Sequence, residues 1–357
     1  MASVKAETDT NTGDGVNIEA ATPLSPFFPS RFFFVDAWDL NNGLLAHTVN
    51  LSHQSTVIVG KIDNENFFEP AFQIGYEDGL YTNITRDWVA ETKRTILAAL
   101  EKDINLAEEG SARAFSRGQN FIACVRPQWL INPATLSKSF TPQGYHGPAW
   151  QAAMVNTVPA MYSFRVDGSF AFAPLNESML PDDYLCTWRM VFTIRHPIAL
   201  FGAIYRELTK GKRLPAEVMK PVCELFMTFR WVRLLYDWAA TYSTAQPPII
   251  IQCETVTNNL RPMVRKICLE LELDESVVLF EKLEEQITMQ GPGLQQSQAV
   301  FNNLTAQGVD ALQARIAVAV SGWEVEFGRP AAYMLADFVR AAIPDWEYLR
   351  DRAMTLR

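Results

Sequence analysis

The residues of this chain best suited to chemistry lie where apolar runs end. In "RFFFVDAWDLNN", Asp36 and Asp39 follow a buried-strand pattern and stand three residues apart. A pair of carboxylates there suits acid–base work, one of them taking a proton beside a ligand. The same pair has a structural alternative, with Asp36 hydrogen-bonded at the strand end and Asp39 capping the next helix. In "VFTIRHPIALFGAIYR" (191–206), Arg195, His196 and Pro197 join a β-branched run to a helical pattern. Strand, Arg, Pro, helix is a common way to build an anion site. Arg195 could equally form a structural ion pair with Asp36 or Glu254. His146, in the Gly/Pro loop "QGYHGPAW", could act as a base in a lid or stand as an exposed loop histidine. Arg126 follows a third apolar run, "QNFIACV", and could reach the same cleft. Cys124 in that run reads as a small core residue, with no histidine near it in sequence.

The elements that must hold these residues alternate between strand and helix. Strands are expected at Phe32–Val35 and within "QNFIACVRP", "CTWRMVFTIRHP" and "QPPIIIQCET". Helices are expected at Leu40–Leu51 and through "DWVAETKRTILAALEKDINLAEEG", closed by Gly110. "PAEVMKPVCELFMTFRWVRLLYDWAATYS" reads as a long helix interrupted near Pro221, and "NLRPMVRKICLELEL" as another. "VDALQARIAVAVSGWEVEFG" and "AAYMLADFVRAAI" close the chain as helices. The expected fold is α/β, a mostly parallel sheet flanked by helices. Ligands of such sheets sit beyond the carboxyl ends of the strands. That rule selects the loop after Val35, the residues near Cys124, the Arg195 turn and Gln252–Glu254.

Composition narrows the function. The 357 residues are 48% hydrophobic, enough for a large core. Residues 1–30 read as a flexible tail, and 31–357 as a single domain with an aromatic-rich insert at about 126–190 and C-terminal helices at about 285–357. A net charge of −9 argues against nucleic acid as partner. No apolar run is long enough for membrane insertion, and no secretory signal is expected at the N-terminus. Five cysteines without a CxxC pair, and four histidines without ligand spacing, point to a cytoplasmic protein with reduced thiols and no metal. The reading admits a homo-oligomer.

Three stretches together resemble a known family. "LPDDYLCTWRMVFTIRHPIALFGAIYRE", "IIIQCETVTNNLRPMVRKICLELEL" and "WEVEFGRPAAYMLADFVRAAIPDWEYL" follow one another as in the sulfotransferase-like P-loop proteins of fungi, and "FFEPAF" at 67–72 resembles a stretch of that subfamily. The resemblance covers roughly residues 31–350, and it implies a sulfotransferase-like fold. It also implies the cofactor 3′-phosphoadenosine 5′-phosphosulfate (PAPS), held by a Pro-Arg-Ser-x-Ser/Thr loop after the first strand, and an Arg-x-Pro turn for the 3′-phosphate. Here Trp38, Asp39 and Leu40 stand in place of that Pro, Arg and Ser. A carboxylate ~4 Å from a phosphate oxygen repels it by roughly 4 kcal/mol at an effective dielectric near 20. Arg195 and Pro197 match the turn, but Ala203 stands where the family has a serine, and Ala123, Cys124 and Val125 where the subfamily has Lys-Glu-His. The family's insert shapes the acceptor pocket, so Arg126, Trp129, Tyr145 and Trp188 of the insert are substrate-binding candidates, together with Trp38 and Glu69 outside it.

The reading that follows is a cofactor-independent enzyme on a degenerate sulfotransferase scaffold. It would act on a small apolar metabolite of fungal secondary metabolism by acid–base-assisted cyclisation, dehydration or isomerisation. Asp36, Asp39, His146 and Arg195 are its catalytic candidates. A PAPS-dependent sulfotransferase acting on a small-molecule hydroxyl, and a non-catalytic binding protein, are the alternatives.

Overall fold

A computed structural model of the chain describes residues 31–36, 49–60, 66–77, 90–138, 157–163, 170–210, 216–243, 247–281 and 309–356. Its strands are β1 (Arg31–Asp36), β2 (Val57–Gly60), β3 (Asn120–Val125), β4 (Arg189–Ile194) and β5 (Ile249–Gln252). They form one sheet in the order β2-β3-β1-β4-β5, and every pairing is parallel. Parallel strands need crossovers, and from β2 to β3, β3 to β4 and β4 to β5 helices supply them. In chain order they are α1 (Glu69–Glu77), α2 (Ala90–Ser116), α3 (Pro127–Leu130), α4 (Pro133–Lys138), α5 (Asp182–Leu185), α6 (Pro197–Thr209) and α7 (Ala216–Phe226). After these come α8 (Arg230–Tyr242), α9 (Cys253–Asn258), α10 (Leu260–Leu271), α11 (Val309–Phe327) and α12 (Arg329–Arg350).

The runs "FFFV", "VFTI" and "III" are continuous because both faces of the sheet are covered. Alternation assigns Phe33, Val35, Phe192 and Ile250 to the larger core. Phe32, Phe34, Val191, Ile249 and Ile251 go to the smaller core beside α10. The larger core also takes Leu335, Val339 and Trp346 of α12. The segment after α12 is tied to the sheet and to α10. Met354 N–H donates to Ile250 O at 2.8 Å. Lys266 Nζ donates to Thr355 O at 2.7 Å.

The four expected strands are present, and β2 is an additional edge strand. Gly110 does not end its helix, because α2 runs on to Ser116. Its missing Cβ admits the Phe121 ring, which a side chain there would meet at 2.3 Å. Pro221 lies inside α7, and the interruption falls at Met227–Phe229 instead. There Met227 N–H returns to Cys223 O and Trp231 Nε1 donates to Leu225 O. The last helix continues through Pro344 to Arg350. Of the helix expected at Leu40–Leu51, residues 40–48 lie outside the described residues, and Leu51 opens a 3-10 turn.

The amino end of the sheet carries a buried polar hub. Arg31, 4% exposed, donates through Nη1 to Tyr162 Oη at 2.8 Å and through Nη2 to Tyr184 Oη at 3.3 Å, and it pairs with Glu108 of α2. Tyr162 and Tyr184 also donate to Glu108. The guanidinium lies 3.9 Å from the Trp188 ring centroid.

Candidate functional site

The carboxyl edge of the sheet gathers the site. Asp36 ends β1, Arg126 follows β3, Arg195 follows β4, and Glu254 lies two residues beyond β5. Register makes these ends neighbours: Val35 faces Val125, Asp36 faces Thr193, and Ile194 faces Gln252. Asp36 Oδ1 accepts the Thr193 hydroxyl at 2.7 Å. Arg126 sits over the Trp129 ring at 4.8 Å. Burial pulls the Arg126 guanidinium below its ordinary pKa, and the negative charges of Glu69 and Asp36 oppose that pull. An arginine remains charged in such a setting. One half-buried cation thus feels two carboxylates, and Cys124 feels one of them, Asp36. The Cys124 thiol is pushed up to about 12 by burial and then by the Asp36 charge, so it is no nucleophile at neutral pH.

At the neighbouring strand ends, the turn before α6 is closed on itself. Glu254 Oε1 accepts the His196 N–H at 2.7 Å. His196 Nδ1 accepts the Ile198 N–H at 3.2 Å, so the ring caps the start of α6. Ala199 and Leu200 N–H both return to His196 O at 3.0 Å, and Pro197 has no N–H. Every backbone donor of the first turn is therefore committed within the protein. An anion at this helix start would meet the Arg195 side chain but none of these N–H groups. Glu254 is held above the ordinary carboxylate range by burial, which its hydrogen bonds and the Arg195 charge partly offset. Among the described residues, no carboxylate oxygen lies within ion-pair distance of Arg195, whose charge still acts on Glu254.

Two further cations come from the C-terminal helices. His196 is 2% exposed and meets the Trp346 ring edge-on at 4.5 Å. Burial, then the charges of Arg315 on α11 and Arg350 on α12, push its pKa down to about 3, so it is neutral at physiological pH. Local sequence gives no sign of either arginine, because tertiary packing of α11 and α12 brings both to the turn.

Of the proposed site residues, the structure brings Asp36, Glu69, Arg126, Trp129 and Arg195 to this edge. Trp129 is 2% exposed and packs beneath Arg126. Trp188 is a correction: it precedes β4 at the opposite end of the sheet, is fully buried, and stacks on Phe33 at 3.9 Å, so it builds the core. Tyr162 and Tyr184 of the aromatic insert belong to the Arg31 hub at that same end. Trp38, Asp39, Tyr145 and His146 lie outside the described residues. Ala203 stands on α6 beside Gly202, whose missing Cβ leaves room for Trp323 Nε1 of α11. Among the described residues, no group of three histidine, cysteine or carboxylate side chains could hold a metal ion. Also among these residues, no helix is long and apolar enough to cross a membrane.

Comparison with known proteins agrees with this architecture. No family model and no solved structure matches the chain. A protein named sulfotransferase ppzF from Metarhizium rileyi is 23% identical over 349 residues, 92% of this chain and 97% of the relative. The protein of the same name from Metarhizium majus is 24% identical over 348 residues, 91% of this chain and 97% of its own. Over nearly its whole length the chain is thus similar in sequence to two fungal proteins named sulfotransferase, and its parallel sheet flanked by helices fits a sulfotransferase-like α/β fold.

Proposed function

We propose that the chain is an enzyme that uses the sulfotransferase-like scaffold without the nucleotide cofactor. It acts on an apolar small molecule by proton transfer, in a cyclisation, dehydration or isomerisation. The observation that carries this reading is the closed turn before α6. From His196 to Leu200 every backbone donor is taken, one of them by the Glu254 carboxylate. A dianionic phosphate is held at a helix start by free N–H groups and added hydroxyls. Here those N–H groups are engaged, and the hydroxyl position is Ala203. PAPS fits these residues poorly, and no step is routed through it.

The chemistry falls to the Asp36 cluster. Asp36, oriented by Thr193, is placed to take a proton from a substrate C–H or O–H. Arg126, fixed over Trp129, stabilises negative charge that develops on a neighbouring oxygen. The proton then returns from Asp36 to another atom of the same molecule, so the step consumes no co-reactant. Asp39 and His146 remain proposed partners in this transfer.

Calorimetric titration with 3′-phosphoadenosine 5′-phosphate tests the reading. No heat of binding at high micromolar concentration is expected, and micromolar affinity overturns it in favour of sulfuryl transfer from PAPS. That second reading is favoured by the half-buried Arg195 and by the names of the two relatives.

A further inference from the structure

Among the described residues, three that are not glycine have left-handed backbone: Asn50, Phe68 and Glu272. Asparagine tolerates that region, and Glu272 closes α10 as its C-cap. Phe68, at a φ of 66°, has neither reason. It is bulky and fully buried, and it stands just before α1. A bulky residue is strained there, and such strain persists only where the surroundings impose it.

Three elements impose it. Phe67 N–H donates to Cys124 O of β3 at 3.0 Å, and Phe68 N–H donates to Asp103 Oδ2 of α2 at 2.6 Å. The Phe68 ring packs 6.3 Å from that of Phe33 on β1. Asp103 is itself 2% exposed, and a carboxylate so placed needs donors; one of them fastens this elbow. Two contacts then bracket the residue that follows. Phe67 is bonded to Cys124, and Phe72 meets the Trp129 ring at 6.4 Å. Glu69 on α1 and Arg126 after β3 each lie two residues past the first contact and three before the second. The equal spacing brings Glu69 alongside Arg126, and its charge acts on that guanidinium more strongly than the charge of Asp36.

We propose that the Phe67–Pro70 elbow is the positioning device of the site. Asp103 locks Phe68, Phe68 aims Glu69, and Glu69 holds one edge of the planar Arg126 fork. The remaining donors of that fork are left for the substrate oxygen on which charge develops. Glu69 is then a positioning residue that acts through Arg126 and does not touch substrate. Asp103, which no sequence motif singles out, joins the site from α2. The assignment rests on the cofactor-free reading, in which Arg126 stabilises that charge. The competing role for Glu69 is a local cap, since its Oε2 accepts the Asn66 N–H at 3.5 Å, near the long limit of a hydrogen bond.

Side-chain NMR of the full chain, with labelled arginine, tests it. The Arg126 Nε–H signal, identified by its loss in Arg126→Lys, is expected upfield of exposed arginines because the guanidinium lies over the Trp129 ring. Glu69→Gln keeps an acceptor for Asn66 N–H and removes the charge. It should move the signal toward the exposed position and speed its hydrogen exchange several-fold. Asp103→Ala should do the same, and Asp103→Asn, which keeps an acceptor for Phe68 N–H, should restore the signal. The Arg31 signal, over Trp188 at the other end of the sheet, should stay in place and reports an intact fold. An unmoved Arg126 signal in Glu69→Gln overturns the proposal and leaves Glu69 a local cap. A signal displaced by Glu69→Gln but not by Asp103→Ala overturns the role of the elbow. Amide exchange on the unmodified protein checks the elbow with no variant to fold: Phe68 N–H should be as protected as the amides of β3, and prompt exchange overturns the lock. Calorimetry with 3′-phosphoadenosine 5′-phosphate reads separately, because tight nucleotide binding overturns the cofactor-free reading and leaves the Arg126 result standing.

Discussion

The carboxylate of Glu254 accepts the backbone N–H of His196 at 2.7 Å, so the end of β5 holds the turn that leaves β4. The residue before the bond, Arg195, carries the cation of the site, and the residue after it, Pro197, starts α6. A single side chain therefore joins two strand ends and occupies a donor that an external anion would otherwise use.

The first prediction concerns His196. Its folded pKa lies near 3 against an ordinary 6.5, so below 6.5 the unfolded chain binds the proton that the native state refuses. Its contribution to stability is complete above pH 6.5 and is lost as pH falls toward 3, by at most ~1.4 kcal/mol per pH unit. Glu254 works with the opposite sign: its pKa is raised, so its contribution is complete at acid pH and lost as pH rises through that raised value. The difference between proteins is thus the quantity to read. His196→Asn keeps an acceptor for Ile198 N–H and should flatten the acid limb in urea denaturation between pH 3.5 and 6.5. Parallel curves for the two proteins would rule out His196 as the source.

A second prediction concerns the Arg31 hub. Arg31→Met leaves the Glu108 carboxylate half-sealed with only two tyrosine hydroxyls, and it should cost about 3–5 kcal/mol. Glu108→Gln should cost less, and the double variant less than the sum of the singles, with a coupling of at least ~1 kcal/mol. Additive effects in equilibrium denaturation would show that the pair does not act as a unit.

Close packing gives the third. A methyl at residue 110 would sit 2.3 Å from Phe121 Cε2. Gly110→Ala should therefore destabilise by about 1–3 kcal/mol despite the better helix propensity of alanine. Adding Phe121→Leu should recover part of that loss in melting temperature. A neutral Gly110→Ala would mean that α2 and β3 yield more readily than their packing implies.

Thiol chemistry supplies the fourth. Burial pushes Cys124, Cys186 and Cys223 up to about 12 and Cys268 to about 11. At pH 8 these four should resist iodoacetamide in the native protein and react promptly in urea, as peptide mapping would show. Prompt native alkylation of Cys124 would mean that the Asp36 cluster is open and wet.

Much of this architecture was legible in the sequence, for a physical reason. Phe32–Val35, Val191–Ile194 and Ile249–Ile251 are bulky on both faces, as strands sandwiched between helices must be. Strand β2 was not legible, because Val57–Gly60 is a short edge strand with only Val57 buried. Gly110 and Pro221 read as breaks because their local preferences point that way, and tertiary packing overrode both. Asp36, Arg126 and Arg195 stood out because each directly ends or follows a strand. Arg315 and Arg350 were invisible beside them. Nothing in a helix pattern tells which polar residue will arrive next to a turn far back in the chain.

The stitch of Met354 to Ile250 has a mechanical consequence. Force applied to the segment after α12 travels through that bond into β5, the strand that leads to Glu254, and so to the turn carrying Arg195. A surface tether or bulky fusion on that side would tug on the site itself. The same connection makes it a useful handle: single-molecule pulling from this end should loosen the Arg195 turn before it disturbs the Arg31 hub at the far edge of the sheet.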